Sequence, residues 1–227
     1  MERAIAFAPD EWFHCYSRGV DKRTIFMDRR DYERFQMLLY VSNSSSPLHL
    51  STFREQLNQG PTLEKVIGLE RNDAFVDLGA YALMPNHYHL LIRERIEGGI
   101  TAFMRKLGTG YTMYFNKKYD RTGALFSGKF KAKHVADDSY LRRVVNYIHA
   151  NPAELYEPKW KEGLVSDEKM LRMKLQEYPF SSLNDYISDR SDFRGVTDTD
   201  SILELVEERP SFDTMLADAR DYAKDMS

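Results

Sequence analysis

Two β-rich runs, 74–83 and 88–93, are separated by little more than Met84-Pro85-Asn86. A connection that short, built from turn-forming residues, makes them an antiparallel hairpin. What flanks the hairpin then restricts the fold. Upstream, the aromatic-rich run Trp12–Arg18 reads as a strand ending at Gly19, and Asp28–Val41 sets Tyr32, Phe35, Leu38 and Leu39 at helical spacing. Downstream, 100–119 reads as a helix interrupted or bent near Gly108 and Gly110, and 124–135 as a further strand. A last helix, capped by Asp137 or Asp138, runs to Asn151, because Pro152 disfavours helical geometry in the residue before it. The order β-α-β-β-α-β-α predicts an α+β fold: a ferredoxin-like antiparallel sheet with helices packed mainly on one face. Residues 1–186 are expected to form this domain, with an insertion at about 43–73 that carries one or two short helices and no chemistry. Residues 187–227 are expected to be an acidic, helical C-terminal extension.

The strand that closes the hairpin carries the first candidate chemistry. Side chains alternate along a strand, so His87 and His89 share one face while Tyr88, Leu90 and Ile92 share the other. With Cα atoms about 6–7 Å apart, the two imidazoles can share a metal ion and supply part of its coordination sphere. A His-x-His pair alone is more often two half-exposed sheet residues. The last helix alters that balance: Tyr140, Val144, Tyr147 and Asn151 recur at spacings of four, three and four and share a face, beside a core-facing stripe of Leu141, Val145 and Ile148. The Asn151 amide oxygen, able to complete a metal site, then sits one turn from the Tyr147 phenol, able to attack a phosphate beside that metal. Tyr111 is the rival nucleophile, on a helix in a basic region, but Phe115 stands where an amide would be needed. His14, His49 and His134 are expected to be structural or solvated, and His149 is turned by about 200° from Tyr147 on its helix.

Charge is unevenly distributed although the net value is only -3. Residues 101–134 hold eight basic residues against Asp120 alone, whereas 181–227 hold twelve acidic against five basic. A basic middle suits a polyanion, although two solvated faces that cancel would carry the same charges; the candidate polyanion contacts are Arg18, Arg105, Lys106, Lys117, Lys118, Arg121, Lys129, Lys131 and Lys133, with Tyr111, Tyr114, Phe115 and Phe130 more often core residues than stacking surfaces. Cys15 is the single cysteine, which excludes an intrachain disulfide and a cysteine-based zinc cluster and suits a reducing compartment. The first residues read as neither signal peptide nor membrane anchor, so a cytoplasmic, nucleoid-associated protein, with no membrane partner, is expected.

The segment Met84-Pro85-Asn86-His87-Tyr88-His89-Leu90-Leu91-Ile92 resembles the HUH strand of single-tyrosine HUH transposases, in particular the REP-associated tyrosine transposases. Further segments resemble that family in the same order: Ser17-Arg18-Gly19 with Ile25-Phe26, Gly123 to Ala132, Tyr147-Ile148-His149-Ala150-Asn151-Pro152, and Tyr178-Pro179-Phe180-Ser181-Ser182. Together they span most of 12–186. The resemblance implies an HUH endonuclease fold in which His87, His89 and Asn151 bind a divalent metal, Mg²⁺ or Mn²⁺, and Tyr147 attacks single-stranded DNA bearing hairpins to give a 5′-phosphotyrosine. A monomer or homodimer is expected. The sequence departs from the family in a longer segment around 42–72, in Tyr178-Pro179-Phe180 where tryptophans are usual, and in the acidic tail after Tyr186. Two other readings stand beside this one: a hairpin-DNA-binding protein of the same fold that does not cut, and an unrelated metal-dependent hydrolase with Tyr147 as a hydrogen-bonding group. The tail, through Ile202, Leu203, Leu205 and Val206, is expected to form a helix able to dock on the basic surface and weaken DNA binding, or to dock on another protein.

Overall fold

The computed structural model describes residues 5–46, 48, 61–187, 195–206 and 211–226. Its core is a four-stranded sheet of β1 (Trp12–Arg18), β2 (Val76–Met84), β3 (His87–Glu94) and β4 (Lys131–His134). The order across the sheet is β2-β3-β1-β4 and every neighbouring pair is antiparallel. The helices are α1 (Arg29–Val41), α2 (Leu63–Ile67), α3 (Gly99–Lys118), α4 (Asp138–Ala150), α5 (Glu168–Gln176), α6 (Leu183–Ile187), α7 (Thr199–Val206) and α8 (Phe212–Asp225). This is the expected α+β class with an antiparallel sheet.

The helices cover both faces of that sheet, not mainly one, and strand alternation shows why. Phe13 and Cys15 of β1, with Tyr88, Leu90 and Ile92 of β3, join one core with Phe35 and Leu39 of α1 and Phe103, Leu107 and Tyr111 of α3. Trp12 of β1, Ala80 and Ala82 of β2 and Leu91 of β3 join a second core with Leu141, Val144, Val145 and Ile148 of α4 and with α7 and α8. A sheet whose strands are apolar on both sides needs a helical layer on each. Residues 199–206 and 212–225 provide part of the second layer: Ile202, Met215, Leu216, Ala219 and Tyr222 are buried there.

Two local expectations are corrected. Helix α3 runs from Gly99 to Lys118 without interruption. Each interior glycine costs about 1 kcal/mol of helix propensity, which burial of Phe103, Met104, Leu107, Tyr111 and Phe115 on one face outweighs. The strand expected over 124–135 is reduced to Lys131–His134, because Gly123 and Gly128 take positive φ values of 83° and 73° that extended pairing cannot accommodate. Between them only Phe126 makes an isolated bridge, to Gly19. Of the expected insertion, α2 is a short helix, while 49–60 lies outside the described residues.

The Tyr178 to Ser182 segment seals the outer edge of β2. Leu83 N donates to Phe180 O, Ser182 N donates to Tyr81 O, and Tyr178 Oη donates to Leu83 O. An edge strand is thereby capped by a few backbone hydrogen bonds. Near the middle of β2, Gly79 lies at a register shift, and a Cβ there would sit 2.9 Å from both Ile202 Cδ1 and the Trp12 ring. Gly79→Val is therefore expected to unseat α7, at a cost of about 1–3 kcal/mol from overpacking. Hydrogen exchange should accelerate in 199–206 ahead of the rest of the chain, and unaltered exchange there would show that Ile202 is not held against Gly79.

Candidate active site

The site lies on the α4 face of the sheet. Antiparallel register sets Arg18 opposite His87 and Tyr16 opposite His89, so Trp12, His14, Tyr16 and Arg18 of β1 share a face with His87 and His89 of β3. Helix α4 crosses this face, its first turn capped by Asp137, whose side chain accepts from Tyr140 N. The helix ends at Ala150; Asn151 caps it, and Pro152 follows in a single 3-10 turn, Asn151–Leu155. The expected constellation is thus brought together. The Tyr147 ring lies 5.5 Å from the His89 ring, and the His87 and His89 rings are 5.1 Å apart and nearly perpendicular. His87, His89, Tyr147 and Asn151 retain 9%, 5%, 6% and 0% of their exposure.

The hydrogen bonds around the two histidines determine which nitrogen each offers. Asn86 Nδ2 donates to Lys22 O, which turns Asn86 Oδ1 toward His87, and His87 Nδ1 donates to it at 2.6 Å. The His87 lone pair is therefore on Nε2. His89 Nδ1 lies 2.8 Å from His14 Nε2, and His14 Nδ1 lies 2.8 Å from Tyr222 Oη. Burial holds all three imidazoles neutral at physiological pH: His87 is lowered to about 4 and His14 to about 3, chiefly by desolvation, with Arg18 adding to the effect at His87 and Lys133 at His14. His89 is lowered well below its usual value, by desolvation first and then by its two histidine neighbours. Neutral imidazoles are the form that binds metal.

Asn151 adds the third donor. Its Nδ2 donates to Tyr147 O at 2.8 Å, whereas its Oδ1 is buried and, among the described residues, without a partner. An orphaned buried acceptor is costly, roughly 1–3 kcal/mol, and it is what a site awaiting a cation would contain. Among the described residues no group of three or more His, Cys, Asp or Glu could hold a metal ion. A metal here would rest on two imidazoles and one amide oxygen, a set that fits a divalent ion with further positions open.

Three neighbours escaped the sequence reading. His14, expected to be structural or solvated, is fully buried against His89 and 5.9 Å from the Tyr147 ring. Tyr222 of α8 packs 5.0 Å from Tyr147. Lys161 stands 5.9 Å from the Tyr147 ring and pairs with Glu154. The β1 alternation Trp12, His14, Tyr16, Arg18 was a usable signal for His14, and the apolar spacing Met215, Ala219, Tyr222 one for α8. Nothing local marks Lys161. His149 donates or accepts against Ser182 Oγ beside Tyr186, away from this cluster, and His134 pairs with Glu11. His49 lies outside the described residues.

The basic residues divide between the two faces. Arg18 is exposed beside His87, and Lys133 donates to Asp225 O and lies over the Tyr222 ring. Arg105, Lys106, Lys117 and Lys118 belong to α3 on the far face. There a cleft of about 760 Å³ between α3 and 124–130 is lined by Phe7, Phe126 and Phe130 and edged by Arg105 and Lys129. Lys131 is exposed on the edge strand. Three of the basic residues are engaged internally: Lys118 bonds to Asp28 and Asp31, Lys106 to Ser44 O, and Arg121 to Asn116 and Ala124 O. Tyr111 is buried in the far core with its hydroxyl donating to Ile25 O, and burial raises its pKa far above the usual value. The tail helices dock on α4 and the site face, not on the basic α3 surface.

A family model described as "Transposase IS200 like" matches residues 53–151. That span, less than half of the chain, includes His87, His89 and Tyr147 and ends on Asn151, so the similarity falls on segments that carry the motif resemblance. No curated protein matches the chain. A solved structure described as "Structure of the REP associates tyrosine transposase bound to a REP hairpin" is similar at 14% identity and a TM-score of 0.47, covering 83% of this chain and 86% of the other. Among the described residues no helix is long and apolar enough to cross a membrane.

Proposed function

We propose that this protein is a metal-dependent nicking and strand-transfer enzyme for single-stranded DNA bearing hairpins, with Tyr147 as nucleophile and His87, His89 and Asn151 as metal ligands. The observation that carries this reading is the orphaned Asn151 Oδ1, buried on the same face as two neutral imidazoles and one helical turn from Tyr147. Bound there, Mg²⁺ or Mn²⁺ supplies Lewis-acid stabilisation of charge on the scissile phosphate. The chain's own groups do the rest. Tyr147 Oη forms a bond to phosphorus as the bond to the 3′ oxygen breaks; the phenol loses its proton, the 3′ oxygen gains one, and a 5′-phosphotyrosine and a 3′-hydroxyl result. The phosphodiester energy is retained, so a second 3′-hydroxyl reverses the step on a new strand without ATP. Lys161 contributes positive charge beside the phenol, and Arg18 and Lys131 are suited to the DNA backbone by their exposure at the margin of this face. On the opposite face, Arg105 and Lys129 beside three phenylalanine rings suit the backbone and an unpaired base.

The test is incubation with labelled single-stranded hairpin DNA and Mn²⁺ or Mg²⁺. A denaturant-resistant adduct is expected, lost on chelation and mapped by peptide mass to the α4 segment. Tight binding with no adduct across a varied hairpin set and both metals would replace the enzyme with a hairpin-binding protein of the same fold.

A further inference from the structure

We infer that Tyr222 and His14 are positioning residues that hold the His89 imidazole in its metal-binding tautomer, so that the C-terminal helix α8 completes the site. The inference rests on the reading of His87, His89 and Asn151 as ligands. His14 is buried, with one ring nitrogen against His89 Nδ1 and the other against Tyr222 Oη, both at 2.8 Å. A neutral imidazole has a single N–H, so the chain of hydrogen bonds can run in only two directions. In the first, His89 Nδ1–H donates to His14 Nε2 and His14 Nδ1–H donates to Tyr222 Oη, which leaves the lone pair of His89 on Nε2, free for a metal. In the second, Tyr222 donates to His14 Nδ1 and His14 Nε2–H donates to His89 Nδ1, which puts the proton of His89 on Nε2 and blocks coordination.

The reading of His89 as a ligand requires the first direction, in which Tyr222 Oη accepts from His14. Tyr222 is held in place by the packing of α8 on α4, by Asp218 accepting from Asn146 and Arg142, and by Lys133 donating to Asp225 O. The partner beyond a ligating histidine fixes its ring and proton, and loss of such a partner typically lowers metal affinity about 10–100-fold.

Tyr222→Phe isolates the hydroxyl while keeping the ring that covers Tyr147. Without an acceptor for His14 Nδ1–H, the second pattern takes over and both histidines change tautomer. Long-range ¹H–¹⁵N spectra of the metal-free proteins are expected to show His89 protonated on Nδ1 in wild type and on Nε2 in Tyr222→Phe. Calorimetric titration with Mn²⁺ should show affinity reduced about 10–100-fold in the variant. His14→Gln, whose amide oxygen can still accept from His89, should retain more affinity than His14→Leu. Wild-type Mn²⁺ binding with unchanged affinity and tautomers in Tyr222→Phe would overturn this inference alone, leaving Tyr222 as a cover. Absence of Mn²⁺ binding by wild type would overturn the ligand assignment and this inference with it.

Discussion

Tyr147→Phe is expected to abolish the covalent protein–DNA adduct and to slow strand cleavage by at least about 10³-fold, while Mn²⁺ and hairpin DNA bind within about two-fold of wild type. The expectation follows from how little the hydroxyl does structurally. Among the described residues it makes no hydrogen bond, whereas the ring packs against His89, His14 and Tyr222 at 5.5, 5.9 and 5.0 Å. Phenylalanine preserves those contacts, so the substitution removes the reacting atom and leaves its setting intact. Single-turnover cleavage beside fluorescence anisotropy with the same hairpin separates chemistry from binding. An adduct that survives would move the nucleophile to another phenol, and Tyr16 becomes the candidate. It faces His89 across the β1–β3 pair, ring to ring at 5.8 Å, whereas Tyr111 is buried behind the sheet.

Much of this site was legible in the sequence because its parts obey local periodicity. Strand alternation gave the shared face of His87 and His89, and helical spacing gave the adjacency of Tyr147 and Asn151. Meeting of the two pairs required a helical layer on the face that carries the histidines, and the expectation of helices mainly on one face did not supply it. The place of His14 against His89 was not legible locally because it depends on the β1–β3 register, and register is set by long-range pairing. Tyr222 is 208 residues from His14, and its contact with that histidine depends on how α8 crosses α4. Acidic composition drew attention to the tail's charge, while its buried apolar stripe decides where it docks. The basic region misled in a similar way: Lys118 counts as a cation in the sequence, yet in the fold it is committed to Asp28 and the buried Asp31.

Asn151→Ala is expected to separate stability from function. Metal-free, two opposing terms nearly cancel. The substitution removes a buried acceptor whose lack of a partner costs roughly 1–3 kcal/mol, and it also removes the Nδ2 bond to Tyr147 O, worth about 0.5–1.5 kcal/mol, and leaves a small void. Metal-free stability should therefore move by less than about 1.5 kcal/mol. With metal the effect is large. At a Mn²⁺ concentration one hundred times its dissociation constant, wild type gains about 2.7 kcal/mol, and a hundredfold loss of affinity reduces that gain to about 0.4 kcal/mol. Adduct formation at low Mn²⁺ should fall at least about 100-fold and recover in part at high Mn²⁺. Asn151→Asp should act in the opposite sense: its carboxylate is a stronger ligand for a hard cation, but without metal it is a buried charge, so stability falls and the Mn²⁺-dependent gain grows. Thermal unfolding of the three proteins with and without Mn²⁺ reads all of these terms. An equal Mn²⁺-dependent gain in wild type and Asn151→Ala would mean that the orphaned oxygen is not a ligand. The cation would then be held by the two histidines without the tyrosine helix, and metal binding would no longer fix where Tyr147 sits.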